Sequence, residues 1–207
     1  MTKPILHSWG TPNGLKPILM LEELELPYEL VKVNIGTGAQ KTPEFIAKNL
    51  NGRIPVLETI LDGETVDLAE SAAILVHLAE TNGNRFLPTN PAARARVLQW
   101  TFFQMSAVGP MFGQLGYWRR RDPQNAEALE RYLVESKRVY GVLDEQLGKS
   151  RYLAGDEYSI ADMATLFWAR GFVFLGLTLE PWPNVARWVA ELDARPAVQR
   201  TLAMTWT

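Results

Sequence analysis

Strand-like alternation is confined to about the first eighty residues of this 207-residue chain, and everything after them reads as helix. Ile5–Trp9 reads as a strand, closed by the turn formers Gly10-Thr11-Pro12-Asn13-Gly14. From Leu15 to Leu26 the apolar residues Ile18, Leu19, Leu21, Leu24 and Leu26 roughly follow helical spacing, and Pro27 ends the run. Pro17 is placed in that helix's first turn, where a missing N–H costs little. Tyr28–Val33 alternates like a half-buried strand, and Thr42-Pro43-Glu44 reads as a capped helix start. Val56–Ile60 and Glu64–Val66 flank the tight turn Asp62-Gly63, and Glu70-Ser71 opens a helix running to about Glu80. The order β-α-β-α-β-β-α suits a small mixed sheet covered by helices.

The polar stretch 82–90, with its Gly and Pro residues, is the natural linker. Helices are expected at roughly 91–119, 124–148, 159–172, 183–194 and 196–204, giving an α/β domain over 1–82 and an all-helical domain over 90–207. Ser159-Ile160-Ala161-Asp162 has the pattern of a capping box, a folding feature. Such a length buries a substantial core without disulfides or a structural metal.

Composition removes several functions. The chain has no cysteine, so disulfides, zinc–thiolate sites, a cysteine nucleophile and a protein-borne redox dithiol are all excluded. Any thiol chemistry must use a thiol supplied from outside. A net charge of −2 gives no electrostatic reason to expect nucleic acid or an anionic membrane as partner. His7 and His77 stand apart from clustered carboxylates, so no metal is expected. Met163–Leu179 is the most apolar stretch, but Arg170 interrupts it and it is too short to span a membrane. Met1-Thr2-Lys3-Pro4 lacks an apolar signal core, so a cytoplasmic location is expected.

The element order, with Arg53-Ile54-Pro55-Val56-Leu57 and Glu70-Ser71 in sequence, resembles the thioredoxin-like plus all-α plan of cytosolic glutathione transferases. Thr11-Pro12-Asn13-Gly14, Gln40 followed by Thr42-Pro43-Glu44-Phe45, and Gly109–Gln114 resemble the bacterial Nu class in particular. The resemblance implies a homodimeric, glutathione-dependent enzyme acting on a small hydrophobic electrophile or a disulfide. A non-catalytic regulatory protein on the same fold, or a glutathione-dependent dehalogenase or isomerase, stays open, since fold does not fix function.

The resemblance also implies roles. Ile54-Pro55 matches a cis-proline at which the preceding backbone pairs with glutathione, although an X–Pro bond is cis in only about 5% of cases by default. Glu70 and Ser71 fit the ligand's ammonium and γ-glutamyl carboxylate, a helix N-terminus being an anion site; a plain N-cap is the ordinary alternative. Thr11 and Asn13 occupy the family's thiol-activating place. Neither is a base, so their role is to stabilise thiolate, and the ordinary alternative is simply a good turn. Ser8, a strand residue, competes for the hydroxyl role and is less well placed. Gln40, Lys41 and Arg53 fit the ligand's backbone and glycine end, or merely face water, and Arg131 on a charged helix has the same two readings. Leu50-Asn51-Gly52-Arg53 departs from relatives that carry asparagine where Gly52 stands. Phe112, Tyr117 and Trp118 are candidates for the apolar second-substrate pocket, and Arg119–Arg121 reads as a solvated helix end.

Overall fold

The computed structural model describes residues 3–121, 123 and 125–207; Met1, Thr2, Asp122 and Gln124, the last being the expected first residue of the long charged helix, lie outside. Two compact units are present, one formed by residues up to Arg85 together with Arg195–Thr207, the other by Phe86–Ala194.

The first unit runs β1 (Ile5–Ser8), α1 (Pro12–Leu24), β2 (Glu29–Lys32), α2 (Pro43–Lys48), β3 (Val56–Leu61), β4 (Glu64–Ala69) and α3 (Ser71–Thr81). The sheet order is β2-β1-β3-β4, with β1 parallel to β2 and the other pairs antiparallel. Because successive side chains on a strand point to opposite faces, β1 serves two layers. Leu6 and Ser8 are fully buried, and Ser8 reaches α1. His7 turns the other way, edge-on to Phe45 of α2, with ring centroids 6.4 Å apart. On that face Phe45, Val33 and Val56 form the core. On the other, Ile18, Leu19, Met20 and Leu21 of α1 are all fully buried, because α1 packs against β1, α3 and the C-terminal helix α9 (Pro196–Leu202) at once.

That last contact departs from the expected division. The C-terminal segment, expected with the helices after residue 90, belongs to the first unit. Arg195 grips Glu23 at 2.7 and 2.9 Å, Arg200 grips Glu22 at 2.6 Å, and Trp206 meets Trp9 edge-on at 5.7 Å. Helical periodicity identifies α9 as a helix but says nothing of which unit its apolar face covers.

The second unit comprises α4 (Pro91–Phe103), a π-helical turn over Gln104–Val108, α5 (Gly109–Arg119), α6 (Ala126–Lys149), α7 (Ile160–Ala169) and α8 (Pro183–Asp193). The expected single helix 91–119 is interrupted where Pro110, without an N–H, cannot continue an ordinary ladder. Residues 160–167 of α7 are buried without exception, as in a central helix. The capping box at Ser159 and Asp162 is present. Phe112 is fully buried and stacked on Tyr140, with centroids 4.5 Å apart, so it is core and offers no face to a substrate. Among the described residues no helix is long and apolar enough to cross a membrane, and no group of three or more metal-ligating side chains occurs.

Candidate functional site

The strand register determines which loops meet. His7 of β1 lies opposite Val56 of β3, and Val56 opposite Ala69 of β4. The C-terminal end of β1, the start of β3 and the end of β4 therefore share one end of the sheet. The parallel pairing of Ser8 with Lys32 brings the loop after β2 to the same end. From this end project Thr11 and Asn13, Gln40, Ile54-Pro55, and Glu70-Ser71.

Thr11 is the N-cap of α1, and its hydroxyl accepts a hydrogen bond from Gly14 N at 3.3 Å. A hydroxyl has one proton and two lone pairs, so a capping threonine still has its O–H to donate. The helix begins at Pro12, one turn earlier than the sequence spacing suggests. Asn13 consequently sits inside the first turn, and Pro17 lies inside the helix beyond that turn. Turn-forming Pro-Asn-Gly masks the start, although proline at the first helical position is itself a start signal. Ser8 is settled differently: it is fully buried and donates its proton to Gly14 O at 2.9 Å.

The Ile54–Pro55 peptide bond is cis. Ile54 lies against the first turn of α1, its Cδ1 only 3.2 Å from where a Cβ on Gly14 would stand. Gly52 has φ +59, and a Cβ there would come within 3.0 Å of Ile46, Lys41 and Gln40 atoms. The glycine, which departs from the family pattern, is thus matched to its local backbone and its crowded neighbours. Asn49 Nδ2 donates to Arg53 O at 2.7 Å, holding the exposed Arg53 at the end of this loop. Gln40 Oε1 is buried with no hydrogen-bond partner among the described residues, so this wall presents an acceptor to any N–H that reaches it.

Glu70 caps α3 with φ 68 and ψ 111 and no side-chain capping bond. A left-handed backbone at a non-glycine residue costs on the order of 1–3 kcal/mol and tends to occur at ligand sites. The plain N-cap alternative is therefore not what the side chains do here. Ser71, the first residue of α3, is buried, and its Oγ accepts from Lys16 Nζ at 3.4 Å. Lys16 has no exposed surface at all. Desolvation pushes its ammonium down to about 7, against the opposing field of Glu70. Sequence reading passed over Lys16, although its spacing to Leu19, Met20 and Leu24 puts it on the apolar face of α1.

Arg131 is exposed on α6, in the other unit. Tyr117 is exposed as well, with the Arg121 guanidinium 5.2 Å from its ring centroid.

Chemically, the end of the sheet offers two helix N-termini, a hydroxyl with a proton to give, an amide side chain and a buried cation. Helix N-termini and N–H or O–H donors are the groups that favour an anion.

Residues 3–80 match the glutathione S-transferase N-terminal domain and residues 100–196 the glutathione S-transferase C-terminal domain. The chain is 41% identical over 201 residues to the disulfide-bond oxidoreductase YfcG of Escherichia coli, covering 95% of this chain and 93% of that protein. The crystal structure of a Burkholderia graminis glutathione transferase, with two glutathione molecules bound per subunit, superposes with a TM-score of 0.92 at 41% identity, covering 97% of this chain and 87% of that one. A Pseudomonas putida glutathione transferase with one glutathione disulfide per subunit superposes with a TM-score of 0.90 at 38% identity, covering 98% and 91%. On fold and on sequence alike, this chain belongs to the glutathione S-transferase family.

Proposed function

We propose that this protein binds glutathione in its first unit and uses the thiolate to reduce disulfides, with transfer to electrophilic carbon as a second use of the same nucleophile. The observation that carries this reading is the meeting of the Thr11-capped N-terminus of α1, the cis Ile54–Pro55 peptide and the N-terminus of α3 at one end of the sheet. In this reading Thr11 and Asn13 donate to sulfur, and the Ile54 backbone pairs with the cysteinyl part. Glu70 and Ser71 take the ammonium and carboxylate of the γ-glutamyl end, and Gln40 and Arg53 lie along the remainder. Arg131 enters only through the family resemblance, as do a homodimeric state and a small hydrophobic electrophile.

The chain has no cysteine, so the sulfur chemistry runs through glutathione. A first glutathione thiolate attacks one sulfur of the disulfide, forming a mixed disulfide and expelling the other sulfur as thiolate. A second glutathione thiolate then attacks the glutathione sulfur of the mixed disulfide. Glutathione disulfide forms and the second product thiolate leaves. A relative that holds two glutathione molecules per subunit, and another that holds glutathione disulfide, support this order.

The energetic demand is modest. A free thiol with a pKa near 8.5 is only a few per cent ionised at neutral pH. Lowering it by about two units requires roughly 2.7 kcal/mol, within reach of one or two charge-assisted hydrogen bonds. The test is a steady-state assay with glutathione on bis(hydroxyethyl) disulfide and on an aryl halide in parallel. Thr11→Ala and Asn13→Ala are expected to lower kcat/KM for the disulfide by about 10- to 100-fold each. If wild type catalyses neither reaction, and calorimetry detects no glutathione binding, the regulatory reading replaces this one.

A further inference from the structure

The turn that joins β1 to α1 has little of its own to hold it. Thr11 N donates to Trp9 O at 2.7 Å across Gly10, which is exposed and brings no side chain. On one side the first turn of α1 lies against this segment, where Gly14 faces the main-chain oxygen of Trp9. On the other side lies the indole of Trp206. A Cβ on Gly10 would stand 2.6 Å from its Cδ1 and Cγ and 2.8 Å from its Nε1, so the ring occupies the space that a side chain at Gly10 would take. The same ring meets Trp9 edge-on, with centroids 5.7 Å apart, in a geometry that aromatic pairs prefer. Trp206 is itself held from both directions. Before it, Arg195 and Arg200 fasten α9 to Glu23 and Glu22 near the C-terminal end of α1. After it, the main-chain oxygen of Thr207 accepts from Lys32 Nζ at 3.4 Å, and Lys32 pairs with Ser8 at the end of β1. The segment after α9 thus passes from one end of α1 to the other and comes to rest on the turn that carries Thr11.

We propose that Trp206 is a positioning residue for the sulfur chemistry, clamping the Trp9-Gly10-Thr11 turn so that the Thr11 hydroxyl is presented to the glutathione thiolate. The proposal rests on the reading of this site as a glutathione site with Thr11 as a donor to sulfur. Trp206 acts through the turn rather than on the sulfur. Glycine has more backbone conformations open to it than any other residue, so Gly10 without the indole on it leaves the chain between β1 and α1 room to shift. The bonds from Gly14 N and Leu15 N hold Thr11 from the helix side, and the indole holds the turn from the other. A misplacement of about 1 Å at such a partner is worth on the order of 100-fold in rate. The groups read as holding the rest of the ligand lie elsewhere, Ile54 before β3 and Glu70 and Ser71 at the start of α3. Loss of the indole therefore weakens the hold on sulfur and leaves the hold on the cysteinyl backbone and the γ-glutamyl end.

The test compares the full wild-type chain with Trp206→Ala and Trp206→Phe. It reads the ultraviolet titration of bound glutathione, kcat and KM for glutathione in disulfide reduction, and the calorimetric Kd for S-methylglutathione, whose capped sulfur forms no thiolate. In Trp206→Ala the thiolate midpoint is expected to rise by about one unit toward that of a free thiol, and kcat near neutral pH to fall about tenfold. KM for glutathione and Kd for S-methylglutathione are expected to stay within about twofold of wild type. Trp206→Phe, which keeps a ring to lie on Gly10, is expected to restore most of both losses. Trp206→Leu, apolar but without a flat ring, is expected to follow alanine, and it carries the test if the thermal transition shows Trp206→Ala to be poorly folded. An unchanged midpoint and kcat in the alanine and leucine variants, or no restoration by phenylalanine, overturns the proposal and leaves the glutathione reading intact. A matching loss of S-methylglutathione binding makes Trp206 a general support of the fold and overturns the proposal as well. Failure of wild type to bind either glutathione or S-methylglutathione overturns both.

Discussion

Replacing Gly14 by alanine is expected to cost this protein about 3 kcal/mol or more of stability and most of its activity, although the same change in an ordinary helix helps. Glycine in a helix interior is about 1 kcal/mol less favourable than alanine, so propensity alone favours the variant. Packing reverses the sign. A Cβ on Gly14 would lie 2.1 Å from the main-chain oxygen of Trp9, 2.7 Å from Ser8 Oγ and 3.2 Å from Ile54 Cδ1. The first of these is backbone, and it already accepts from Thr11 N at 2.7 Å, so it cannot swing aside. Relief requires α1 to lift off β1. Lifting breaks the Ser8-to-Gly14 hydrogen bond and parts Ile54 from the first turn. A displacement of about 1 Å at a nucleophile's partners is worth on the order of 100-fold in rate. Urea unfolding and kcat/KM for glutathione-dependent disulfide reduction measure the two effects.

Asp162→Ala is expected to cost about 3–5 kcal/mol without touching the site, which makes it the companion result for the helical unit. The carboxylate is fully buried and accepts four hydrogen bonds. Leu153 N at 3.0 Å and Trp188 Nε1 at 2.9 Å donate to one oxygen; Ser159 N at 3.0 Å and Ser159 Oγ at 3.1 Å donate to the other. Removing it leaves these buried donors without their acceptor, the costly direction of hydrogen-bond loss. Burial raises the Asp162 carboxyl from 3.8 to about 6, with the four hydrogen bonds opposing the rise. A folded-state value above the unfolded one means that the folded form holds more protons between those limits. Its contribution is therefore fully present below about pH 4 and is lost as pH rises through about 6. Asp162→Asn should abolish that dependence, while lying between wild type and alanine in urea midpoint, because its amide keeps one acceptor oxygen.

Much of this architecture is legible in the sequence, for identifiable reasons. Period-two alternation marks β2, and the Asp62-Gly63 turn marks the hairpin of β3 and β4. Proline behind a capping Thr42 marks α2, and the box at Ser159 marks α7. What the sequence hides is tertiary. Pro12-Asn13-Gly14 reads as a turn because each residue favours one in isolation. Only contact with β1 and Ile54 shows that the helix has already begun. The polar, Arg-bearing α9 reads as one more helix of the second unit, and its attachment to Glu22 and Glu23 depends on residues more than 170 positions away. Phe112 looks as able to line a pocket as to fill a core until the Tyr140 ring lies across it. Lys16 is passed over because lysine is seldom buried, although its spacing puts it on the apolar face of α1.

The candidate site divides in the same way. Thr11, Ile54-Pro55 and Glu70-Ser71 stand out as motifs because each carries a backbone requirement: a cap, a cis peptide, a helix start. Their convergence follows from the pairing of His7 with Val56 and of Val56 with Ala69, which no local pattern encodes.

The most direct measurement is an ultraviolet titration of the thiolate of glutathione bound to the wild-type protein. The account expects a midpoint about two units below the roughly 8.5 of a free thiol, moving back toward that value in Thr11→Ala and in Asn13→Ala. A bound glutathione that titrates like the free thiol in wild type would contradict it.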